Sequence, residues 1–347
     1  FYTFHAISYL VDVYRQKTPP QKNLLRLGLY LALFPKLVMG PIVPYHELEP
    51  ALAQRTPSVQ DVSDGCFRFT IGLAKKALLA DALAGLVTGI WGDLASLTVL
   101  SAWLGLIGYA LQLYFDFSGY SDMAIGLGRM LGFRFPENFR YPYLCSSISD
   151  FWRRWHISLG SWFKEYLYFP LGGSRAGTLR TLRNLLLVWL ATGLWHGASW
   201  NYVLCGLYFG VLTCLEKLLA PRFWAHPRKG LLAGLYRPVC LLLAVLGWVL
   251  FRAEDLPAAG RYFACLFGGA AGASAQARLY LHDFLPVLLL GAVGATPLCA
   301  KLAGRLGAKL QPGVRAVVQA VLVLALLACS TVWLLNASFP SFVYFQF

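Results

Sequence analysis

Four apolar windows, Leu94–Phe115, Leu231–Phe251, Phe284–Ala303 and Val314–Leu335, constrain this chain more than any other feature. Each can cross the hydrocarbon core of a bilayer, roughly 30 Å or about 20 residues of helix. Only 13% of the 347 residues are charged and 58% are apolar, a balance that suits a bilayer and not water as the solvent. The expected fold class is therefore all-α, a polytopic membrane protein read as a single domain over residues 1–347. Shorter or polar-interrupted apolar stretches at Leu24–Val43, Gly65–Ile90 and Asn184–Glu216 read as tilted, broken or re-entrant segments buried within protein, because lipid does not tolerate exposed irregular backbone. The opening run from Phe1 reads as the end of an earlier helix, so helices before it are expected to be missing from this chain. It holds no basic region followed by an apolar core, so no signal peptide is read.

The formal charge of +14 raises the question of nucleic acid. The basic residues are scattered among apolar spans and not gathered on a polar face, which assigns them to topology and lipid headgroups and excludes nucleic acid as a partner. Three groups, Arg153 to Arg183, Lys217 to Lys229 and Lys301 to Arg315, can be cytoplasmic together. The segment from Arg252 to Asp283 and the C-terminal Phe347 then lie outside. The Gly/Ala-rich stretch Gly268–Ala277 is expected to be a flexible external loop. All eight cysteines sit singly, which points to packing and gives no metal site.

The stretch from Leu111 to Gly210 carries the chemistry. Asp116 and Asp122 follow a transmembrane run, where a carboxylate marks either a functional pathway or a paired structural site. Phe133-Arg-Phe-Pro-Glu-Asn-Phe-Arg-Tyr-Pro-Tyr143 holds two prolines that exclude a continuous helix and predict an ordered interfacial loop. From Ser149 and Asp150, cap-like residues, the spacing of Trp152, Trp155, Leu159, Trp162 and Tyr166 predicts one amphipathic helix. It should lie at the cytoplasmic interface, with Arg153 and Arg154 toward headgroups and His156 projecting from it. Asn184–Glu216 holds 33 residues between two basic loops, fewer than the roughly 40 that two full crossings and a turn need. It is expected to be a short hairpin that turns inside the protein and carries His196 to intramembrane depth. Gly193 and Gly197, and Gly206 and Gly210, are small-x-x-x-small pairs that allow close helix approach.

A histidine at such a position is a packing residue, a proton relay or a general base. Its ordinary pKa of about 6.5, with desolvation keeping it neutral, suits removal of a proton from a hydroxyl during acyl transfer. Trp195, Trp200 and Asn201 are candidate donors to the developing oxyanion. His5, His46, His226 and His282 lie near ends or loops and are given no role. No Gly-x-Ser-x-Gly elbow, phosphate-binding glycine loop or zinc-protease motif is present.

Taken together, these residues resemble the alginate O-acetyltransferase branch of the membrane-bound O-acyltransferase family. The resemblance is carried by Phe34-Pro-Lys-Leu-Val-Met-Gly-Pro-Ile-Val, the Leu113–Gly128 aspartate segment, Gly132–Pro142, Asp150–Gly173, Gly193–Ala198, Gly247–Arg252 and the terminal Phe345-Gln-Phe. Trp-Arg-Arg-Trp-His ending at His156, with Trp-His-Gly placing His196 40 residues later, is the most specific part. The resemblance implies a funnel of helices with re-entrant and in-plane elements, in a multi-pass protein of a bacterial inner membrane. It places the family's invariant histidine at His196 and its second polar position at His156. It further implies that acetyl-CoA serves as cytoplasmic thioester donor, that no cofactor is resident, and that an extracytoplasmic esterase-like partner completes O-acetylation of a polysaccharide. In that scheme His196 is the base or acyl relay, His156 orients a substrate together with Arg153, Arg154 and Trp155, and Asp116 and Asp122 support the chamber wall. Two alternatives stand beside it: transfer of D-alanine or acetyl to teichoic acid or peptidoglycan, and a proton-coupled exporter.

Overall fold

Backbone groups that cannot be hydrated must bond within their own segment, and this chain does so with helices throughout, with no strand among the described residues. The computed structural model describes residues 1–175, 177–223 and 231–336, with the side chains of 220–223 and 231–233 left aside. His226, Arg228, Lys229 and the terminal Phe345–Phe347, singled out above, lie outside the described residues, as does the expected placement of the C-terminus.

Four short helices come first: α1 (Tyr2–Tyr14), α2 (Leu24–Ala32), α3 (Phe34–Leu37) and α4 (Tyr45–Ala53). Then α5 (Val59–Ala74) and α6 (Asp81–Trp91) run into each other through a π-helical turn, Lys75–Ala80. The first stretch bears out the expectation of a broken segment: Leu33, in extended backbone ahead of Pro35, separates α2 from α3. The second stays helical throughout, widened by the π-helical turn and not broken.

The centre of the fold is α7 (Val99–Met130), 32 residues long, with 78% of its apolar window buried against the rest of the protein. It starts later than the apolar window beginning at Leu94, where a reciprocal cap between Thr98 and Ser101 sets the end. It also continues through Asp116 and Asp122, because those carboxylates find cationic partners in the α5–α6 segment. Helices α5 and α7 approach until a Cβ on Gly72 would stand 2.5 Å from the carbonyl oxygen of Gly119, a separation no other residue tolerates.

After the ordered loop around residues 131–147 come α8 (Ile148–Trp152), α9 (Ile157–Phe163) and a second π-helical turn, Lys164–Tyr168. The amphipathic spacing predicted one helix here, and that expectation is corrected. The backbone breaks at His156, whose φ of 45° lies in the left-handed region. The cap is Ser147, not Ser149 or Asp150: its side chain accepts from the Asp150 amide.

The hairpin follows as α10 (Thr178–His196) and α11 (Trp200–Phe223), then α12 (Leu231–Arg252), α13 (Leu256–Leu266), α14 (Ala275–Gly294), α15 (Leu298–Gly307) and α16 (Pro312–Asn336). Among the described residues, five helices are long and apolar enough to cross a membrane: α7, α11 over Trp200–Leu219, α12 over Gly234–Arg252, α14 and α16. Of the four expected crossings, three match α7, α12 and α16 in place. The fourth, Phe284–Ala303, is displaced. A cap from Ser274 starts α14 nine residues earlier than the apolar window suggests, and Thr296-Pro297 ends it and begins α15. The hairpin is longer at both ends than its apolar core, since the long side chains of Arg180, Arg183 and Lys217 can reach water from helical positions. The expected flexible loop near Gly268 is instead pinned: the carbonyls of Ala271 and Gly272 accept the amides of Val99 and Leu100 at 3.0 Å, closing the N-terminus of α7.

Candidate active site

The α10–α11 hairpin turns in three residues, Gly197 to Ser199, directly after His196. Glycines make the close packing possible: a Cβ on Gly206 would lie 2.4 Å from the Trp189 carbonyl oxygen, and one on Gly193 2.5 Å from that of Tyr202. The expected small-residue contact is borne out, and it fixes His196 at the hairpin's end. Its imidazole lies 4.7 Å from the Trp195 ring, 5.1 Å edge-on from Phe251 and 6.2 Å from Tyr202.

His156 comes to the same place from the break between α8 and α9. It is 2% exposed, with Phe117 edge-on at 4.6 Å and the Phe1 ring stacked at 6.0 Å. The two histidines line one narrow, mostly apolar cavity of about 30 Å³, walled by Leu113 of α7, Trp152, Trp155, Trp189, Thr192, Tyr202, Trp248 and Phe251. A larger, open cavity of about 380 Å³ adjoins it and shares Trp152, His156, Leu159, Trp189 and Thr192. Arg153 and Lys164 stand on the wall of the larger one. His156 and Thr192 thus line both an open vestibule with cationic side chains and a tight inner chamber holding His196.

Of the other residues singled out in the sequence, Trp155 is buried in that inner wall, 4.8 Å from Trp248. Trp195 borders His196 but faces the α1 rings, stacking on Phe4 at 5.4 Å. Arg154 pairs with Asp150 at 3.0 Å and does not line either cavity. Burial opposes ionisation of Asp150, but Arg154 and the Ser146 amide hold its carboxyl below the usual range. Trp200 is 72% exposed at the start of α11 and lines neither cavity. Asn201 is buried, and one amide hydrogen is taken by the Ala253 carbonyl at 2.6 Å, which ties the hairpin to the end of α12.

The aspartates do not line the chamber either. Asp116, fully buried, meets Lys76 at 2.7 Å, and Lys76 also meets Asp81 at 2.7 Å. Asp122 meets Arg68 and Lys75 at 2.6 Å, with Arg68 extending to Glu137 at 2.6 Å. A carboxylate removed from water needs such partners, and these come from α5 and its π-helical turn, some 40 to 54 residues away in sequence. Leu113, one turn from Asp116, is the part of α7 that reaches the cavity.

Two contributors had no role in the sequence reading. Asn138, in the proline-bounded loop, contacts His156. Glu216 accepts the Ile148 and Ser149 amides at 3.1 and 2.8 Å and the Tyr236 hydroxyl at 2.9 Å, locking the start of α8 to the hairpin and to α12. A polar residue among aromatics in an ordered loop, and a carboxylate at the end of an apolar run, are the only sequence signals either gives.

The model of the membrane-bound O-acyltransferase family matches residues 11–228, which include both histidines and the whole hairpin. The chain belongs to this family. Within it, the chain is 48% identical over 267 residues to the probable alginate O-acetylase AlgI of Pseudomonas aeruginosa, covering 77% of this chain and 50% of that protein. It is 37% identical over 288 residues to the peptidoglycan O-acetyltransferase of Helicobacter pylori, covering 75% and 54%. It is 29% identical over 229 residues to the teichoic acid D-alanyltransferase of Bacillus subtilis, covering 62% and 57%. The chain spans about half the length of the curated relatives it matches. The similarity supports the alginate O-acetyltransferase-like branch of the family, and with the five apolar helices it supports a multi-pass membrane protein.

Proposed function

We propose that this chain forms the catalytic core of an O-acyltransferase that moves an acetyl group from a cytoplasmic thioester donor toward a polysaccharide outside the membrane. The observation that carries the reading is the meeting of His196 and His156 in one narrow chamber that adjoins a wider vestibule. The vestibule, with Arg153 and Lys164, suits the phosphates of acetyl-CoA, and the narrow apolar chamber suits a small acyl group with bulk water kept out. In the proposed step the acceptor hydroxyl attacks the thioester carbonyl carbon while His196 takes its proton. Collapse of the tetrahedral intermediate breaks the C–S bond, and the thiolate leaves and is protonated in turn. Positioned base catalysis of this kind contributes roughly 10²–10⁴-fold, and orientation supplies more.

The extracytoplasmic esterase-like partner and the bacterial inner membrane as location belong to this reading. The test is His196→Ala in the full-length protein, followed by the acetyl content of polysaccharide made by intact cells. Loss of acetylation at normal protein abundance supports the assignment, and undiminished acetylation refutes it.

Similarity to the peptidoglycan and teichoic acid transferases favours a second reading, in which a wall polymer is the acceptor and D-alanine or acetyl the cargo. Mass analysis of wall polymers in a deletion strain separates the two. The exporter reading is tested by purified full-length protein, which as a pure exporter would show neither acyl-CoA hydrolysis nor acyl exchange.

A further inference from the structure

The break between α8 and α9 leaves the first amides of α9 without helical partners, and one loop residue, Asn138, serves them. Its backbone carbonyl accepts the Ile157 amide at 3.0 Å, and its side-chain Oδ1 accepts the Ser158 amide at 3.1 Å and the Ser158 hydroxyl at 2.9 Å. Its Nδ2 donates to the Ser121 hydroxyl of α7 at 3.2 Å. These contacts fix the orientation of the amide, because a backbone N–H only donates and so must face oxygen.

The same Oδ1 lies 3.3 Å from Nδ1 of His156. An oxygen that only accepts requires a proton on the ring nitrogen facing it. The neutral imidazole then carries its proton on Nδ1 and its lone pair on Nε2. His156 Nε2 is buried and has no hydrogen-bond partner among the described residues, and the ring lines both the vestibule and the inner chamber.

The geometry points to Asn138 as a positioning residue that fixes His156 in the Nδ1–H tautomer and so makes Nε2 a hydrogen-bond acceptor on the wall that the two cavities share. Resting on the function proposed above, this assigns His156 a specific task. It receives a hydroxyl or amide N–H of the substrate and does not donate to the oxyanion. Asn138, buried and 18 residues away, acts only through it. A hydrogen-bonded partner on one ring nitrogen sets both the orientation and the tautomer of an imidazole.

The experiment uses full-length protein in lipid nanodiscs, labelled with ¹⁵N on the histidine rings. The His156 signals are identified by their loss in His156→Gln. The wild type is expected to show a protonated Nδ1 and an unprotonated Nε2. Asn138→Asp, which keeps an acceptor at the same place, should retain that pattern, whereas Asn138→Leu should shift the ring toward the Nε2–H form. In the leucine variant kcat for acetyl transfer should fall about tenfold or more with KM within a factor of two, a split that loosening of α9 alone does not predict. A wild-type ring protonated on Nε2, or Asn138→Leu with wild-type kcat, overturns the proposal. The wild-type spectrum decides the tautomer even where the leucine variant does not fold. It also does so whether or not the protein transfers acetyl, so failure of the proposed function is seen separately.

Discussion

The hairpin end at His196 and the α5–α7 seam at Asp116 and Asp122 look alike in sequence: each places ionisable groups among apolar residues. In the structure they are opposites. At the hairpin the polar groups border open space, a narrow chamber joined to a vestibule. At the seam every carboxylate meets a lysine or arginine within 2.7 Å, and glycines let the two helices close over them. An ionisable residue within an apolar span signals either function or internal pairing, and only the partner, often far away in sequence, tells which.

Four substitutions sharpen that contrast. Asp116→Leu leaves Lys76 with Asp81 as its remaining carboxylate, and breaking a buried pair costs about 3–5 kcal/mol. Thermal denaturation in detergent should show a large fall in stability, while activity per folded molecule stays near wild type. Gly206→Ala forces a methyl against the Trp189 carbonyl and should cost about 1–3 kcal/mol. Because it moves the hairpin that holds His196, it should also lower activity per folded molecule, which the seam variant should not. Arg153→Gln removes a vestibule charge, worth about 1 kcal/mol or less for an exposed ion pair. Its signature is a several-fold rise in KM for acetyl-CoA with kcat unchanged, read by steady-state kinetics. Trp200→Phe, at an exposed position, should change stability by less than about 0.5 kcal/mol and leave transfer intact. A strong loss of transfer there would return Trp200 to the site.

The legible part of the fold followed from hydrophobic length and from glycine spacing: the apolar spans, the hairpin and its close helix contact; the two histidines were singled out together by the family resemblance. Helix ends were less legible because charged side chains at the ends of α10 and α11 are long enough to stay wetted while the backbone continues helical. The break at His156 was hidden by a tryptophan spacing that fits an uninterrupted helix. What forces it is a left-handed residue stabilised by Asn138 across the loop, a contact that no periodicity encodes. The aspartates were ambiguous for the same reason. Lys75, Lys76 and Arg68 sit in a neighbouring apolar stretch, and only the folded chain pairs them with α7.

Whether an acyl donor enters the space between the histidines can be measured at Thr192, which lines both cavities. A Thr192→Cys variant of the full-length protein, treated with iodoacetamide and quantified by mass spectrometry of that peptide, reports access to that shared wall. With acetyl-CoA present, alkylation should slow several-fold, and CoA-free buffer should restore it. Equal rates with and without acetyl-CoA would place the donor elsewhere and contradict this account of the chamber.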